Sequence, residues 1–196
     1  MPADASETRT SQSAPHEGGA PSTSSPRMRR MGAWAALGAI VLVVDQLTKV
    51  WARDALSPVG TVGVQVVPDV LSFELVHNYG AAFGMGQGMG WLSVLLAVVI
   101  VAASAVYLMR ARTVNRFELV GLGLVLGGAV GNAVDRVVFG YVTDFIYACF
   151  IDFPVFNVAD IGVTVGVALA FVGFAFLSPA MRGGDESGKK TEGGDR

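Results

Sequence analysis

Charge is scarce in this chain. Only 15% of its 196 residues are charged, against about 25% in an ordinary soluble domain, while 52% are hydrophobic and the mean hydropathy is +0.52. That deficit argues against a soluble domain and for a membrane protein. Cysteine is scarcer still. Cys149 stands alone, so no disulfide forms within the chain, and with only His16 and His77 beside it a Cys/His zinc site is not expected. HExxH, Walker-type and GxGxxG motifs are missing. Neither a metal nor a cofactor is therefore expected. The net charge of −2 carries no nucleic-acid signal, and no such partner is expected.

What is present is a set of apolar runs. Residues 31–50, 91–109, 117–134 and 158–177 are each long enough to cross a bilayer. Trp91 and Tyr107 are placed as interface anchors of the second run. Residues 1–30 and 181–196 read as disordered tails, rich in Ser, Thr, Gly, Pro and charge. A membrane domain is thus expected over 31–180. The first run follows Arg27, Arg29 and Arg30, as in a secretory signal, but it ends in DQLTK without a small-residue cleavage site.

Basic residues set the orientation. Arg27, Arg29 and Arg30, then Arg110, Arg112 and Arg116, then Arg182, Lys189 and Lys190 fall on one side, against Lys49, Arg53 and Arg136 on the other. This predicts four spans with both termini in the cytoplasm. On the far side, Val62, Val64 and Val66 alternate with polar or small residues, and Leu71, Phe73 and Leu75 do so after Pro68-Asp69. The pattern predicts a small β-hairpin outside the bilayer.

The stretch from Gly131 to Asp160 concentrates the chemistry. It carries Asp135, Arg136, Asp144, Asp152 and Asp160 between two apolar runs. An ionisable group at the centre of a membrane costs about 2.5–3.5 kcal/mol on insertion scales, so acids kept near one serve a purpose. Gly123, Gly127 and Gly131 repeat every fourth residue, a face for close helix approach, and Asp135 continues it. Asp135 and Arg136 read as an ion pair at a helix end. Asp144 lies among Val142, Phe145 and Ile146, an apolar setting for a carboxylate. Asn157, Asp160 and Thr164 share a face of the last span, and Asp160 alone reads equally well as a helix cap. Two neighbouring carboxylates cannot both ionise easily and share a proton. One then accepts a proton from water while the other polarises a carbonyl, which is peptide hydrolysis without a metal. In the first span, Asp45 and Lys49 stand in the acid-first order of a helical ion pair, with Lys49 expected to snorkel to the interface. A Ser/Lys dyad using Ser93 or Ser104 is the alternative for Lys49. His77 reads as a bystander, Asn78 as a grip for a peptide backbone, and Cys149 as a small apolar filler.

Five blocks in order carry a resemblance: DQLTK at Asp45–Lys49, NYGAAFG at Asn78–Gly84, GNAVDR at Gly131–Arg136, GYVTDFI at Gly140–Ile146, and FNVAD at Phe156–Asp160. The chain resembles the bacterial lipoprotein signal peptidases over roughly residues 38–165. The resemblance implies an all-α membrane aspartic peptidase with four transmembrane helices, a small extracytoplasmic β-hairpin or cradle and a short extracytoplasmic loop-helix. It implies cleavage of diacylglyceryl-prolipoproteins before the lipid-modified cysteine, at the outer face of the bacterial inner membrane. It places the catalytic pair on Asp144 and Asp160, with Asn78, Gly80, Asn132, Arg136, Asn157 and Ala159 lining the site or holding substrate, and Asp45, Lys49 and Asp135 supporting it. The implied partners are the lipidated substrate and membrane lipid, and the chain is expected to act as a monomer. A proton-coupled four-helix transporter is the alternative function, but it predicts acids near mid-span, whereas these cluster at one boundary. A structural adaptor would give no reason for two carboxylates beside apolar rings.

Overall fold

The computed structural model describes residues 25–60, 62–80 and 90–177. Four helices in it are long and apolar enough to cross a membrane: α1 (Pro26–Ala55), α2 (Gly90–Arg110), α3 (Arg116–Phe139) and α4, which runs from Val158 and ends in a π-helical turn, Val158–Leu177 overall. Ser25 caps α1 by accepting a hydrogen bond from the Met28 amide. Arg27, Arg29 and Arg30 therefore lie in its first turns, not in a tail. The rest of the expected tails, 1–24 and 178–196, falls outside the described residues. At about 1.5 Å per residue α1 spans about 45 Å, more than a hydrocarbon core of about 30 Å, so it extends beyond the bilayer at one or both ends.

The expected hairpin is present as β1 (Val62–Val67) and β2 (Leu71–Asn78), turning through Asp69 at φ 59°. It is not isolated. A third strand, β3 (Val142–Ala148), pairs antiparallel with β2 and makes a three-stranded sheet in the order β1-β2-β3. The segment between α3 and α4 was expected as a loop, and the short loop-helix is not found among the described residues. Its residues Val142, Phe145 and Ile146 bury apolar surface better as a strand, because Phe145 joins Ala52, Leu56 and Leu75 in a small core beneath the sheet. Trp51 of α1 meets Phe73 and Phe145 edge-on at 5.2 and 6.0 Å, which fastens the sheet to the end of that helix. We call this the sheet end of the bundle.

α3 is the central helix. Its Gly123, Gly127 and Gly131 face α1, as the four-residue spacing predicts, and a Cβ at Gly127 would meet Val41 and the Gly38 backbone. A second small face is a surprise. Gly121 and Gly128 abut α4, where Gly162 and Gly166 answer them. Close approach on both sides leaves α3 able to carry buried polar groups between α1 and α4. α3 runs five residues past the expected end, because Val137, Val138 and Phe139 continue it until Gly140 terminates it at φ 79°, in the left-handed conformation glycine tolerates.

Candidate active site

Three elements converge at the sheet end. The β2–β3 register sets Asn78 opposite Val142 and Val76 opposite Asp144, so Asn78 and Asp144 are diagonal neighbours on one face. Phe156 bonds back to β3, donating to the Ile146 carbonyl at 3.0 Å and accepting from the Phe145 and Ile146 amides at 3.0 and 2.8 Å. That return sets Asn157 beside Asp144. Asn157 then opens α4 as its cap, in a reciprocal box with Asp160: its side-chain oxygen accepts from the Asp160 amide at 3.0 Å, and Asp160 Oδ2 accepts from the Asn157 amide at 3.2 Å.

Both carboxylates line a cavity of about 740 Å³. Asp144 is 2% exposed and receives Nδ2 of Asn157 at 2.7 Å on one oxygen and Nδ2 of Asn78 at 3.0 Å on the other. Asp160 is half-buried and receives Nδ2 of Asn132 at 2.8 Å. Burial, and then the charge of Asp160, push the Asp144 carboxyl up to about 7. Hydrogen bonds from Asn78 and Asn157 work against that rise. The pair is thus electrostatically coupled, as two carboxylates that share a proton must be.

The orientation of each asparagine is dictated by its other partner. Lys49 can only donate, and its ammonium holds Asn132 Oδ1 at 2.8 Å, which turns the Asn132 amide group toward Asp160. The Gly80 amide holds Asn78 Oδ1 at 3.0 Å, turning Nδ2 to Asp144. The Asp160 amide does the same for Asn157. Asn157 also donates to Asn132 Oδ1 at 3.1 Å, which links the two carboxylates through one network.

Behind this layer lies a buried ion cluster. Lys49 and Asp45 are both fully buried and 2.9 Å apart, and Asp135 is 3.4 Å from the same ammonium. Lys49 does not snorkel: two carboxylates and Asn132 satisfy it inside the bundle, and neither Ser93 nor Ser104 contacts it. Ser104 bonds the Ile100 carbonyl, while Ser93 lines the cavity. The Ser/Lys dyad is therefore not formed. Asp135 does not pair with Arg136 either, since adjacent helix residues do not share a face. Asp135 pairs with Lys49 and, at 3.8 Å, with Arg53, and accepts the Thr143 amide at 2.9 Å. Arg136 instead donates to the carbonyls of Gly80 at 3.1 Å and Asn132 at 3.4 Å, and its buried Nε has no hydrogen-bond partner among the described residues. Ala159, fully buried, donates its amide to Asp45 at 2.9 Å. A Cβ at Gly131 would strike Asp45, so glycine is required there.

Asn78, Asn132, Arg136, Asp144 and Asp160 line the cavity itself, and Asp45, Lys49, Asp135, Asn157, Gly80 and Ala159 brace it. His77 stacks on Tyr141 at 3.8 Å, away from the cavity lining, and burial lowers its pKa. Cys149 meets Ser72 at 3.1 Å in a half-buried place. Three supporting residues were missed in the sequence. Gln46 donates to Asp45 and Asp135 at 3.1 and 3.3 Å, Arg53 donates to Thr143 Oγ1 at 2.7 Å, and the Thr143 amide holds Asp135. Their adjacency to Asp45, Lys49 and Asp144 was the available signal.

The family model for signal peptidase (SPase) II matches residues 37–176. The chain is 42% identical over 151 residues to a lipoprotein signal peptidase of Geobacillus kaustophilus, covering 76% of this chain and 97% of that protein. It is 41% identical over 156 residues to one of Pseudomonas putida, with coverages of 76% and 90%. A solved bacterial membrane enzyme, determined by the in meso method at 2.3 Å, superposes with a TM-score of 0.67 at 30% identity, over 84% of this chain and 96% of that one.

Proposed function

The chain belongs to the signal peptidase II family, so it is a membrane peptidase of the aspartic type, and on that premise we propose that Asp144 and Asp160 are its catalytic carboxylates. The observation that carries this reading is their shared cavity, in which each is oriented by an asparagine whose own direction is dictated elsewhere. The substrate is a prolipoprotein whose cysteine already bears a diacylglyceryl group, cut on the amino side of that cysteine. The sheet end faces away from the cytoplasm, and both termini lie in it, as the arginine distribution indicates. The membrane is the bacterial inner membrane.

Asp144, the more deeply buried acid, holds the shared proton, and Asp160 activates water. The water oxygen attacks the scissile carbonyl carbon as Asp160 takes its proton. Asp144 gives its proton to the carbonyl oxygen, forming a gem-diol. Collapse returns a proton to the amide nitrogen and breaks the C–N bond, leaving a signal-peptide carboxylate and a free cysteine amine. Arg136 lines the cavity, and its Nε, without a partner among the described residues, is placed to donate to a substrate carbonyl. α2, at Leu96 and Ile100, and α4, at Ile161 and Val165, wall the cavity, and a signal helix entering between them would approach from the bilayer. Limited water access suits such a site.

The test offers purified protein in detergent a diacylglyceryl-modified prolipoprotein beside an unlipidated copy. Cleavage of the lipidated form alone, unaffected by chelator and lost in both Asp144→Asn and Asp160→Asn, is the expected gel pattern. Cleavage that survives either substitution removes that aspartate from the mechanism.

A further inference from the structure

A serine or threonine inside a membrane helix commonly returns its hydroxyl to its own backbone, bonding a carbonyl three or four residues back. Thr48 does so on α1, to Val44 at 3.0 Å and Asp45 at 2.8 Å, and Ser104 does so on α2, to Ile100 at 2.7 Å. The other two such residues of the membrane helices, Ser93 and Thr164, do not. Both line the cavity of Asp144 and Asp160, and neither hydroxyl has a hydrogen-bond partner among the described residues. They differ in depth. α2 starts beside Arg136, since a Cβ at Gly90 would meet that side chain at 3.7 Å, so Ser93 sits at the sheet end. Thr164 stands one turn of α4 past Asp160, about 6 Å further into the bilayer. Asn132 reaches Asp160 itself, while Asn78 and Asp144 belong to the sheet. Thr164 is therefore the deepest polar group in the lining.

We propose that the Thr164 hydroxyl donates to a backbone carbonyl of the substrate's signal helix, in the last turn before the scissile bond. The inference rests on the catalytic reading above and deepens it by naming what holds the segment that leads to the cut. A peptide bond is open to the two carboxylates only where the signal helix has ended. The last four carbonyls of a helix have no partner within it, and in a bilayer no water takes their place, so the protein must satisfy them. Those carbonyls lie on the bilayer side of the cut, which is where Thr164 stands. The cavity's asparagines cannot serve there, because their amide groups are committed to Asp144 and Asp160.

The experiment follows cleavage of a lipidated prolipoprotein peptide in mixed micelles by wild type, Thr164→Val, Thr164→Ser and the control Ser104→Ala. Valine keeps the shape of threonine and deletes the hydroxyl; serine keeps the hydroxyl. The expected result is a rise in KM of roughly three- to ten-fold, the size of one neutral hydrogen bond, in Thr164→Val alone, with kcat retained. Each of the three peptide amides before the scissile one is then replaced in turn by an ester, whose carbonyl is a weaker acceptor. At one position the ester should raise KM for wild type and add nothing to the rise already present in Thr164→Val. An unchanged KM in Thr164→Val, an equal rise in Thr164→Ser or in the control, or ester penalties alike in wild type and Thr164→Val at every position overturns the assignment and leaves the catalytic reading standing. A fall in kcat at constant KM overturns it too, and places the hydroxyl on the attacking water. Failure of wild type to cleave the peptide overturns the catalytic reading and this one with it.

Discussion

Two helices of this bundle open on the same local motif, and they use it differently. Asn115 opens α3 with Glu118 three residues on, and Asn157 opens α4 with Asp160 three residues on, each pair closing a complete capping box. At the first, Glu118 is 1% exposed. It accepts the Tyr107 hydroxyl at 2.8 Å and the Asn115 side-chain amide at 2.7 Å, while Asn115 also donates to the Gly173 carbonyl at 3.0 Å, where α4 passes into its π turn. This box takes donors from α2 and from its own cap and gives one to the Gly173 carbonyl, which ties α2, α3 and α4 together. Tyr107, expected as an interface anchor, is turned inward to do so. At the second box the neighbour is not a hydroxyl but another carboxylate, Asp144, and the acid faces open space. A hydroxyl neighbour quiets a carboxylate; a carboxylate neighbour, buried, makes the pair compete for a proton. The helix start is the same device in both places, and the partner across the gap decides whether it is a fastening or, as proposed for Asp160, a catalytic carboxylate.

That contrast can be broken most severely from behind the reactive box. Lys49→Met leaves Asp45 and Asp135 buried without their shared cation, and removing one partner of a buried pair costs about 3–5 kcal/mol. A large fall in thermal midpoint in detergent, together with lost cleavage, is the expected outcome; an unchanged midpoint would mean that the cluster is not holding the bundle. Next in size is pH. The native state keeps the Asp144 proton up to about 7, whereas its ordinary value is 3.8. The folded protein therefore binds more protons than the unfolded chain between those values. Stability is fullest below about pH 4 from this group and declines as pH rises through 7, by up to about 4 kcal/mol. The midpoint of wild type should fall from pH 5 to pH 8 relative to Asp144→Asn, with cleavage declining above about pH 7 as the shared proton is lost. Parallel curves for the two proteins would refute the coupling.

Matched substitutions of the two caps sharpen the comparison further. Asn157→Ala removes a cap and the 2.7 Å donor to Asp144, so kcat should drop roughly 100-fold, the low end for a misplaced acid or base. Asn115→Ala should cost only about 1–2 kcal/mol of stability with kcat nearly intact. If both lose activity equally, the boxes do not differ in role. The smallest effect belongs to Tyr107→Phe, which deletes one hydrogen bond to Glu118 while the Asn115–Glu118 box stays closed, and should cost about 0.5–1.5 kcal/mol, visible as a lower midpoint with the same cleavage rate.

Much of this architecture was legible beforehand. Length and hydropathy predict four helices, and alternation around Pro68-Asp69 predicts the hairpin. The Asn115-x-x-Glu118 start is equally readable as a capping box ahead of an apolar run. The third strand was not legible, since Val142 to Ala148 reads as a loop until β2 supplies its hydrogen bonds. The same limit explains the two ionic errors: pairing Asp135 with Arg136, and sending Lys49 to the interface, both follow from local spacing. Asp45 does pair with Lys49 as the spacing predicts, but Asn132, which also holds Lys49, and Arg53, which pairs with Asp135, lie 83 and 82 positions from them.

The residue types, their motifs and the helical periods are written in the chain, and by themselves they determined the family, four membrane helices and the acids worth watching. Which oxygen of Asp144 meets Asn78 and which meets Asn157 was decided only by the β2–β3 register and by two glycine faces on α3. Hydrogen bonds have a tolerance of a few tenths of an ångström, and across 66 positions between Asn78 and Asp144 only packed tertiary structure can hold two side chains to that tolerance.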